Sequence, residues 1–255
     1  MIVDAHVHIT ADGKWFNTHH DASVNRLVMS LGKTDIDKAV VLPIAPFVSN
    51  QFIARACSEY PEKLIGFASV DPLEHDAAKK LEEDVTRYEL KGLKLHPRLQ
   101  GFQLSDHNVQ SIIRKAADLK IPVVIDAWVR PEDREYQNLV NSIGRTAKKI
   151  PHAKIILSHL GGHKYNEILH VSQENRNIYF DLSFVLTYFD HEVLYNHIAP
   201  LLEDIGTDHL IYGSDYPEKD ISDYFLFAQE FFDDFFSHQE KKLILGDTIK
   251  YLTAI

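Results

Sequence analysis

The sequence predicts an α/β protein built as a single (β/α)8 TIM barrel, with a site at the C-terminal ends of the strands. Eight short apolar runs alternate with helical stretches along the 255 residues. Strands that are apolar throughout are typical of sheets covered on both faces, and their alternation with helices indicates a parallel sheet. The length suits one barrel, so we expect a single domain over residues 1–255.

The elements follow one another with little between them. Asp71-Pro72 interrupts the chain before a predicted helix, and Pro131 opens another. The predicted strands are Ile2–His8, Ala39–Ile44, Leu64–Val70, Gly92–Pro97, Pro122–Trp128, Lys154–Gly161, Ile178–Phe184 and Leu210–Pro217. The predicted helices are Ala77–Tyr88, Val109–Leu119, Pro131–Ile150, residues 225–236 and Leu243–Ile255.

The phenylalanines of residues 225–236 recur close to helical spacing, which predicts a face packed against the barrel. A contact between two copies of the chain is the alternative, and it leaves a homodimer open. The single Cys57 has no partner for a disulfide, and its helix-like surroundings favour a packed thiol.

Composition narrows the class of partner. Apolar content of 45% and charged content of 25% are typical of a globular protein, and the net charge of −10 gives no support to nucleic-acid binding. No charged leader precedes the first predicted strand, and no apolar run reaches membrane length. We therefore expect a cytoplasmic protein that acts on a small molecule.

The first predicted strand carries the pattern Asp4-Ala5-His6-Val7-His8. Side chains in a strand repeat on one face every second residue, so Asp4, His6 and His8 are expected to point the same way. Two imidazoles at one strand end can hold one metal ion.

Ionisable residues end five of the eight predicted strands. They are His6 and His8 on the first strand, Lys94 and His96 on the fourth, Asp126 on the fifth, His159 on the sixth and Asp215 on the eighth. Buried charges are costly unless they are paired or bound to a metal, so this arrangement favours one divalent ion. Nitrogen and carboxylate ligands without thiolates predict zinc ahead of manganese or iron.

The order His-x-His, Lys-Leu-His-Pro, Ser-His-Leu-Gly-Gly and Gly-Ser-Asp-Tyr-Pro resembles the amidohydrolase superfamily. It is most similar to the branch that includes aminocarboxymuconate-semialdehyde decarboxylase and the dicarboxylate lactonases, and the similarity runs from Asp4 to the final helix. The resemblance implies that His6, His8 and Asp215 bind the metal. Asp215 would also act on the attacking water, and His159 would polarise substrate, move a proton or, in binuclear members, bind a second metal.

One position departs from this family pattern, because the fifth strand usually ends in a histidine ligand and here ends in Asp126. Aspartate can ligate zinc, and we expect ligation. Asp126 holding a neighbouring group in place is a second reading, and a site that no longer keeps a metal is a third.

The remaining candidates concern the substrate. Lys94 or Arg98 would suit a carboxylate on the substrate, and pairing of Lys94 with Asp126 or Asp4 is the alternative. His96 shares a strand face with Lys94, and Trp128, His163 and Tyr216 lie on flanking positions that would shape a pocket.

We expect hydrolysis of an amide, ester or lactone by a metal-activated water, with Asp215 as general base and His159 assisting. A metal-dependent decarboxylase of the same branch is the first alternative. A non-catalytic ligand-binding barrel whose metal site has decayed is the second.

Overall fold

The computed structural model describes residues 1–255 and contains eight parallel strands, each close to a predicted apolar run. The strands are β1 (Val3–Val7), β2 (Lys38–Val41), β3 (Leu64–Gly66), β4 (Leu93–Leu95), β5 (Val123–Ile125), β6 (Ile155–Leu157), β7 (Ile178–Asp181) and β8 (Leu210–Ile211). All eight are shorter than predicted, and β4, β5 and β6 end directly before the polar residues His96, Asp126 and Ser158.

Backbone hydrogen bonds join the strands into a barrel. Strands β1 to β3 form one parallel set and β4 to β8 another. Parallel bridges between Ala68 and Leu93 and between Val7 and Tyr216 connect the two sets at both seams. At the second seam the amide of His8 donates to the carbonyl of Tyr216 at 2.7 Å. The predicted (β/α)8 barrel is therefore confirmed.

Helices cover the outside of the barrel. They are α1 (Val24–Leu31), α2 (Asn50–Glu59), α3 (Ala77–Tyr88), α4 (Pro97–Gln100), α5 (His107–Asp118), α6 (Leu139–Lys149), α7 (Tyr165–Glu174), α8 (Val185–Tyr188), α9 (His191–Val193), α10 (Ala199–Ile205), α11 (Ile221–Phe235), α12 (His238–Lys242) and α13 (Thr248–Thr253). Single π-helical turns precede α10 and α13. None of the helices has the length and apolar content that crossing a lipid bilayer requires.

One predicted helix begins later than expected. The sequence predicts helix from Pro131 to Ile150, but α6 starts at Leu139, and a short 3-10 turn precedes it. The Asp133 carboxylate accepts the amide of Arg130 at 2.9 Å, so local side-chain bonding holds this stretch in turns instead.

The core has two parts. Apolar residues between the strands and the helices form the larger part, and Phe225, Phe231, Phe232 and Phe236 of the α11 segment are buried there. The predicted packing of this segment against the barrel is thus confirmed. A smaller cluster fills the inside of the barrel away from the site. It comprises Val3, Ala5, Val40, Leu42, Ile65, Phe67, Val124, Ile156 and Ile211, with Ile249 and Leu252 of α13.

Strand β1 contains a β-bulge, which corrects the expectation that Asp4, His6 and His8 share one face. Its register against β2 shifts between Asp4 and Val7. Ala5 packs inside the barrel and Val7 packs outside it, although strict alternation would place both on the same side. A bulge puts one extra residue into a strand and re-aims the side chains that follow. His6 and His8 therefore point into the barrel, and Asp4 does not.

Candidate active site

The polar strand ends surround a cavity of about 280 Å³ at the C-terminal end of the barrel. Its lining includes His6, His8, Lys94, Asp126, His159 and Asp215. Arg98, Arg130, Trp128, Trp15 and Glu218 also line it. The ionisable residues that end five of the predicted strands thus line one cavity.

Three of these side chains form a group suited to a metal ion. The Nε2 atoms of His6 and His8 lie 3.1 Å apart. Asp215 Oδ1 lies 3.5 Å from Nε2 of His6 and 3.7 Å from Nε2 of His8. Ligands held at 2.0–2.2 Å around a tetrahedral ion would be about 3.4 Å apart. The spacing and the donor types therefore fit a divalent cation.

The other ring nitrogen of each histidine is already bonded. His6 Nδ1 contacts the Asp181 carboxylate, and His8 Nδ1 donates to the carbonyl of Leu42 at 2.7 Å. These bonds place the protons on Nδ1 and leave both Nε2 lone pairs aimed at the same point. Burial, assisted by the charge of Lys94, lowers the pKa of His6 to about 3, so the imidazole is neutral and able to bind metal.

Two site residues have an unusual backbone conformation. Asp215 has φ of +67° and His159 has φ of +56°, in the left-handed region that side chains other than glycine seldom adopt. Each such conformation costs about 1–3 kcal/mol and persists where the surroundings hold it, often at functional sites.

Burial raises the pKa of the Asp215 carboxyl to about 7.

Glycine at position 213 is required by the approach of β1 to β8. A Cβ atom there would lie 2.7 Å from Cβ of His6, which is closer than real contacts allow. Gly213 therefore lets the strand end that carries Asp215 approach the strand end that carries His6.

Asp126 lies in the cavity wall beside basic side chains and outside the group of three. Its Oδ1 atom lies 3.2 Å from Nη2 of Arg98 and 3.6 Å from Nδ1 of His96, and its Oδ2 atom lies 3.3 Å from Nε2 of His159. Burial would raise the pKa of Asp126, but these neighbours outweigh it and hold the pKa well below its usual value. The contacts favour the second reading, in which Asp126 orients its neighbours.

His159 is held from both sides. Besides Asp126 at Nε2, its Nδ1 lies 3.0 Å from the carbonyl of Ser183. Burial alone would lower the pKa of His159, but the charges of Asp215 and Asp126 outweigh it and raise the pKa above its usual value. A histidine whose protonated form is favoured in this way can deliver a proton to a group in the cavity.

Lys94 is the most deeply buried cation of the site, with 1% of its surface exposed. Its Nζ lies 3.3 Å from Nε2 of His6. Burial lowers the pKa of Lys94, against the attraction of Asp126, Asp181 and Asp215. The lysine therefore sits beside the candidate metal group itself.

Of the three residues predicted to flank the site, one lines the cavity and two do not. Trp128 lines the cavity, whereas His163 and Tyr216 are absent from its lining. Nε2 of His163 lies 3.2 Å from the hydroxyl oxygen of Tyr188. The hydroxyl of Tyr216 donates to the carbonyl of Asp21 at 2.5 Å, which ties the loop after β1 to the loop after β8.

Sequence reasoning missed Asp181, Arg130 and the pair formed by Trp15 and Glu218. Asp181 is the last residue of β7, inside a predicted strand, so the rule used at five other strand ends could have found it. Trp15 donates from Nε1 to Oε1 of Glu218 at 2.5 Å. Both residues lie in loops, where no periodic pattern indicates which side chains turn inward.

A comparison with known protein families gives a match over nearly the whole chain. A family model described as amidohydrolase matches residues 3–250. No curated protein matches the sequence.

The solved structures that share the fold include the following three. An uncharacterised TIM-barrel protein from Bordetella bronchiseptica is 18% identical, with a TM-score of 0.81 over 99% of this chain and 98% of its own. A probable 2-pyrone-4,6-dicarboxylic acid hydrolase from Acinetobacter baumannii, with citric acid bound, is 18% identical, with a TM-score of 0.74 over 100% and 99%. A 5-carboxyvanillate decarboxylase from Novosphingobium aromaticivorans, with bound manganese and 3-methoxy-4-hydroxy-5-nitrobenzoic acid, is 15% identical, with a TM-score of 0.75 over 100% and 97%.

Proposed function

The chain belongs to the amidohydrolase family, and from that premise we propose that it is a metal-dependent hydrolase of an amide, ester or lactone. The observation that carries the proposal is the convergence of His6, His8 and Asp215, whose donor atoms all lie within 4.8 Å of one another. Two neutral imidazoles and a carboxylate would hold one divalent ion, with zinc preferred over manganese.

A divalent ion in this group supplies Lewis acidity, which makes water more acidic and polarises a carbonyl oxygen. Asp215 then accepts a proton from the water that attacks the carbonyl carbon. The bond to the leaving group breaks, and Asp215 returns that proton to the leaving oxygen or nitrogen. Transfer by a positioned acid–base group contributes about 10²–10⁴-fold to the rate of such reactions.

His159 and Asp126 act as a pair in this scheme. The contact at 3.3 Å between His159 Nε2 and Asp126 Oδ2 holds the imidazole in place. The Nε2–H of His159, which points to Asp126 in the cavity wall, would be shared with the oxygen that gains negative charge during the attack. Asp126 is thus a positioning residue for His159 and Arg98.

The substrate carries a carboxylate. Arg98 and Arg130 line the cavity together with Lys94, although the chain as a whole has a net charge of −10. Guanidinium groups bind carboxylates through paired hydrogen bonds. The citric acid in the Acinetobacter neighbour and the nitrobenzoic acid in the Novosphingobium neighbour are carboxylates as well, which supports this choice.

A decarboxylase is the second candidate, and His159 favours it. A protonated imidazole beside Asp126 could protonate the ring carbon of a benzoate while the bond to the carboxyl carbon breaks and carbon dioxide leaves. The Novosphingobium neighbour carries the name of such an enzyme.

One assay separates the two candidates. The zinc-loaded protein would be given 2-pyrone-4,6-dicarboxylate, other carboxylated lactones and esters, and 5-carboxyvanillate, while ring opening and carbon dioxide are both measured. We expect ring opening or ester cleavage without carbon dioxide, and a loss of 10²–10⁴-fold in Asp215→Asn.

Asp223→Asn is the matched control, because Asp223 is exposed on the first turn of α11 and lies outside the cavity. Carbon dioxide release from the benzoate without hydrolysis would replace the first candidate by the second. A protein that binds no metal after reconstitution and cleaves none of these compounds would leave only the non-catalytic barrel.

A further inference from the structure

A second chamber adjoins the candidate active site. Its volume is about 330 Å³, and it lies between the loop after β1 and the loop after β2. Four residues line both spaces, namely His8, Trp15, Phe16 and Ile44. A molecule held by the candidate metal group therefore has the second chamber directly beside it.

Trp15 forms the partition between the two spaces. Its ring stacks on that of His8, with centroids 4.8 Å apart and an angle of 22° between the planes. Its Nε1 is bonded to Glu218, and only 6% of the residue is exposed. The indole is thus fixed from both sides, so the boundary of the chamber is already formed.

The two spaces differ in chemistry. Charged and polar side chains dominate the lining of the first cavity. Hydrophobic residues such as Ile9, Ile44 and Val48 dominate the lining of the second, beside Thr10, Asp12 and Lys14. An apolar group gains free energy when it leaves water for such surroundings. The second chamber therefore suits an uncharged, apolar part of a ligand.

Two aromatic side chains are exposed at this chamber. Phe16 is 45% exposed and Phe47 is 60% exposed, and their rings lie 5.8 Å apart in an edge-to-face arrangement. Phe16 also has φ of +46°, a conformation that bulky residues rarely adopt. Large exposed apolar groups beside a cavity are typical of ligand-binding surfaces.

We propose that the second chamber is a subsite for an aromatic or branched alkyl group of the substrate. The substrate class is then an amphipathic carboxylic acid derivative, with its polar end at the cavity of His6, His8 and Asp215. This inference rests on the proposed function, because the candidate metal group places the polar end of the ligand.

Binding of two series of acids to the zinc-loaded protein tests the subsite. Straight-chain acids from acetate to pentanoate would be compared by calorimetry with the same acids carrying a terminal phenyl group. We expect the phenyl group to tighten binding at least tenfold at one or more chain lengths. A ratio near one at every length, or no binding of either series, would overturn the proposal.

The variant Ala11→Phe fills the chamber from its exposed side, since Ala11 lines only the second space. We expect this variant to lower the ratio of the affinity for a phenyl-bearing acid to that for the matching straight-chain acid to about one. The control Leu73→Phe adds the same ring at a residue that is 65% exposed and lines neither space, and should leave the ratio unchanged. An unchanged ratio in Ala11→Phe would also overturn the proposal.

Because binding is measured without turnover, the two proposals fail separately. A protein that hydrolyses nothing yet shows the phenyl effect keeps the subsite and loses the hydrolase assignment. A protein that hydrolyses short carboxylates but ignores the phenyl group loses only the subsite.

Discussion

His6 is the residue on which the candidate metal group depends most. One ring nitrogen contacts Asp181, and the other lies within 3.5 Å of His8, Lys94 and Asp215. Carboxylates behind a ligating histidine fix the ring and make it a better ligand. Asp181 therefore belongs to the site although it does not line the cavity.

Replacement of Asp181 by alanine tests this dependence. We expect the affinity for zinc to fall about 10–100-fold, because the His6 ring loses the partner that fixes its proton and its orientation. Competition with a chelator measures the affinity. Asp208→Ala, at a side chain that is 73% exposed, is the control. Affinity equal to wild type in Asp181→Ala would exclude the supporting role.

Replacement of Lys94 should raise the affinity for zinc, in contrast to replacement of Asp181. The Lys94 ammonium lies 3.3 Å from Nε2 of His6, and its positive charge repels a metal ion. In Lys94→Met we expect zinc to bind about tenfold more tightly, roughly 1.4 kcal/mol, while carboxylates bind more weakly. The exposed Lys91→Met is the control. Weaker zinc binding in Lys94→Met would show instead that the lysine helps to hold the ion.

The sequence predicts the positions of these residues better than it predicts their contacts, for a physical reason. His6, His8, His159 and Asp215 follow buried apolar runs, whose period places the strand ends reliably. What a side chain does beyond the strand end depends on neighbours that are distant in sequence. Asp126 faces basic side chains of the fourth and sixth strand ends, and nothing in its local pattern indicates that.

At the scale of the elements, the bulge in β1 decides which residues reach the site. The Asp4 carboxylate accepts the amide of His6 at 3.1 Å and the amide of Ser214 at 2.9 Å, so it joins the strand end of His6 to that of Asp215. Alternation along the strand could not reveal this, because a bulge breaks the period of two on which the prediction rested.

Removal of the Asp4 carboxylate should therefore loosen both strand ends. In Asp4→Ala we expect a loss of about 2 kcal/mol in the free energy of unfolding, because two buried amides lose their acceptor. We also expect zinc affinity to fall at least tenfold. Asp4→Asn keeps one acceptor oxygen, so it should restore most of the unfolding free energy and most of the zinc affinity. Equal zinc affinity in the wild-type protein, Asp4→Ala and Asp4→Asn would show that the bulge forms without the Asp4 carboxylate.

The loop between β1 and α1 is a second element whose position matters. Tyr216 anchors it through Asp21, and Trp15 anchors it through Glu218. The sequence suggested Tyr216 as a pocket residue, but its hydroxyl faces this loop instead of the cavity.

Tyr216→Phe should loosen the loop and leave the chemistry in place. We expect a loss of about 1 kcal/mol in the free energy of unfolding, the usual contribution of one hydrogen bond. Cleavage of the loop by a protease should become faster, and zinc affinity should stay the same. Tyr251→Phe, at an exposed ring, is the control. A raised KM with unchanged stability would instead indicate direct contact with substrate.

For the whole molecule, the barrel separates two environments along its axis. Apolar side chains fill one end together with α13, and buried ionisable groups gather at the other. Alternating apolar runs and helices made the architecture predictable, because burial on both faces of each strand leaves a clear pattern. The substrate was not predictable, because loops such as the one carrying Trp15 form the second chamber.

The convergence of three strand-end side chains on one divalent ion is tested most directly by anomalous diffraction at the zinc edge, from crystals of the zinc-reconstituted protein. We expect one strong peak about 2.0–2.2 Å from Nε2 of His6, Nε2 of His8 and the Asp215 carboxylate. A peak bound by other residues, or no peak in the cavity, would contradict it.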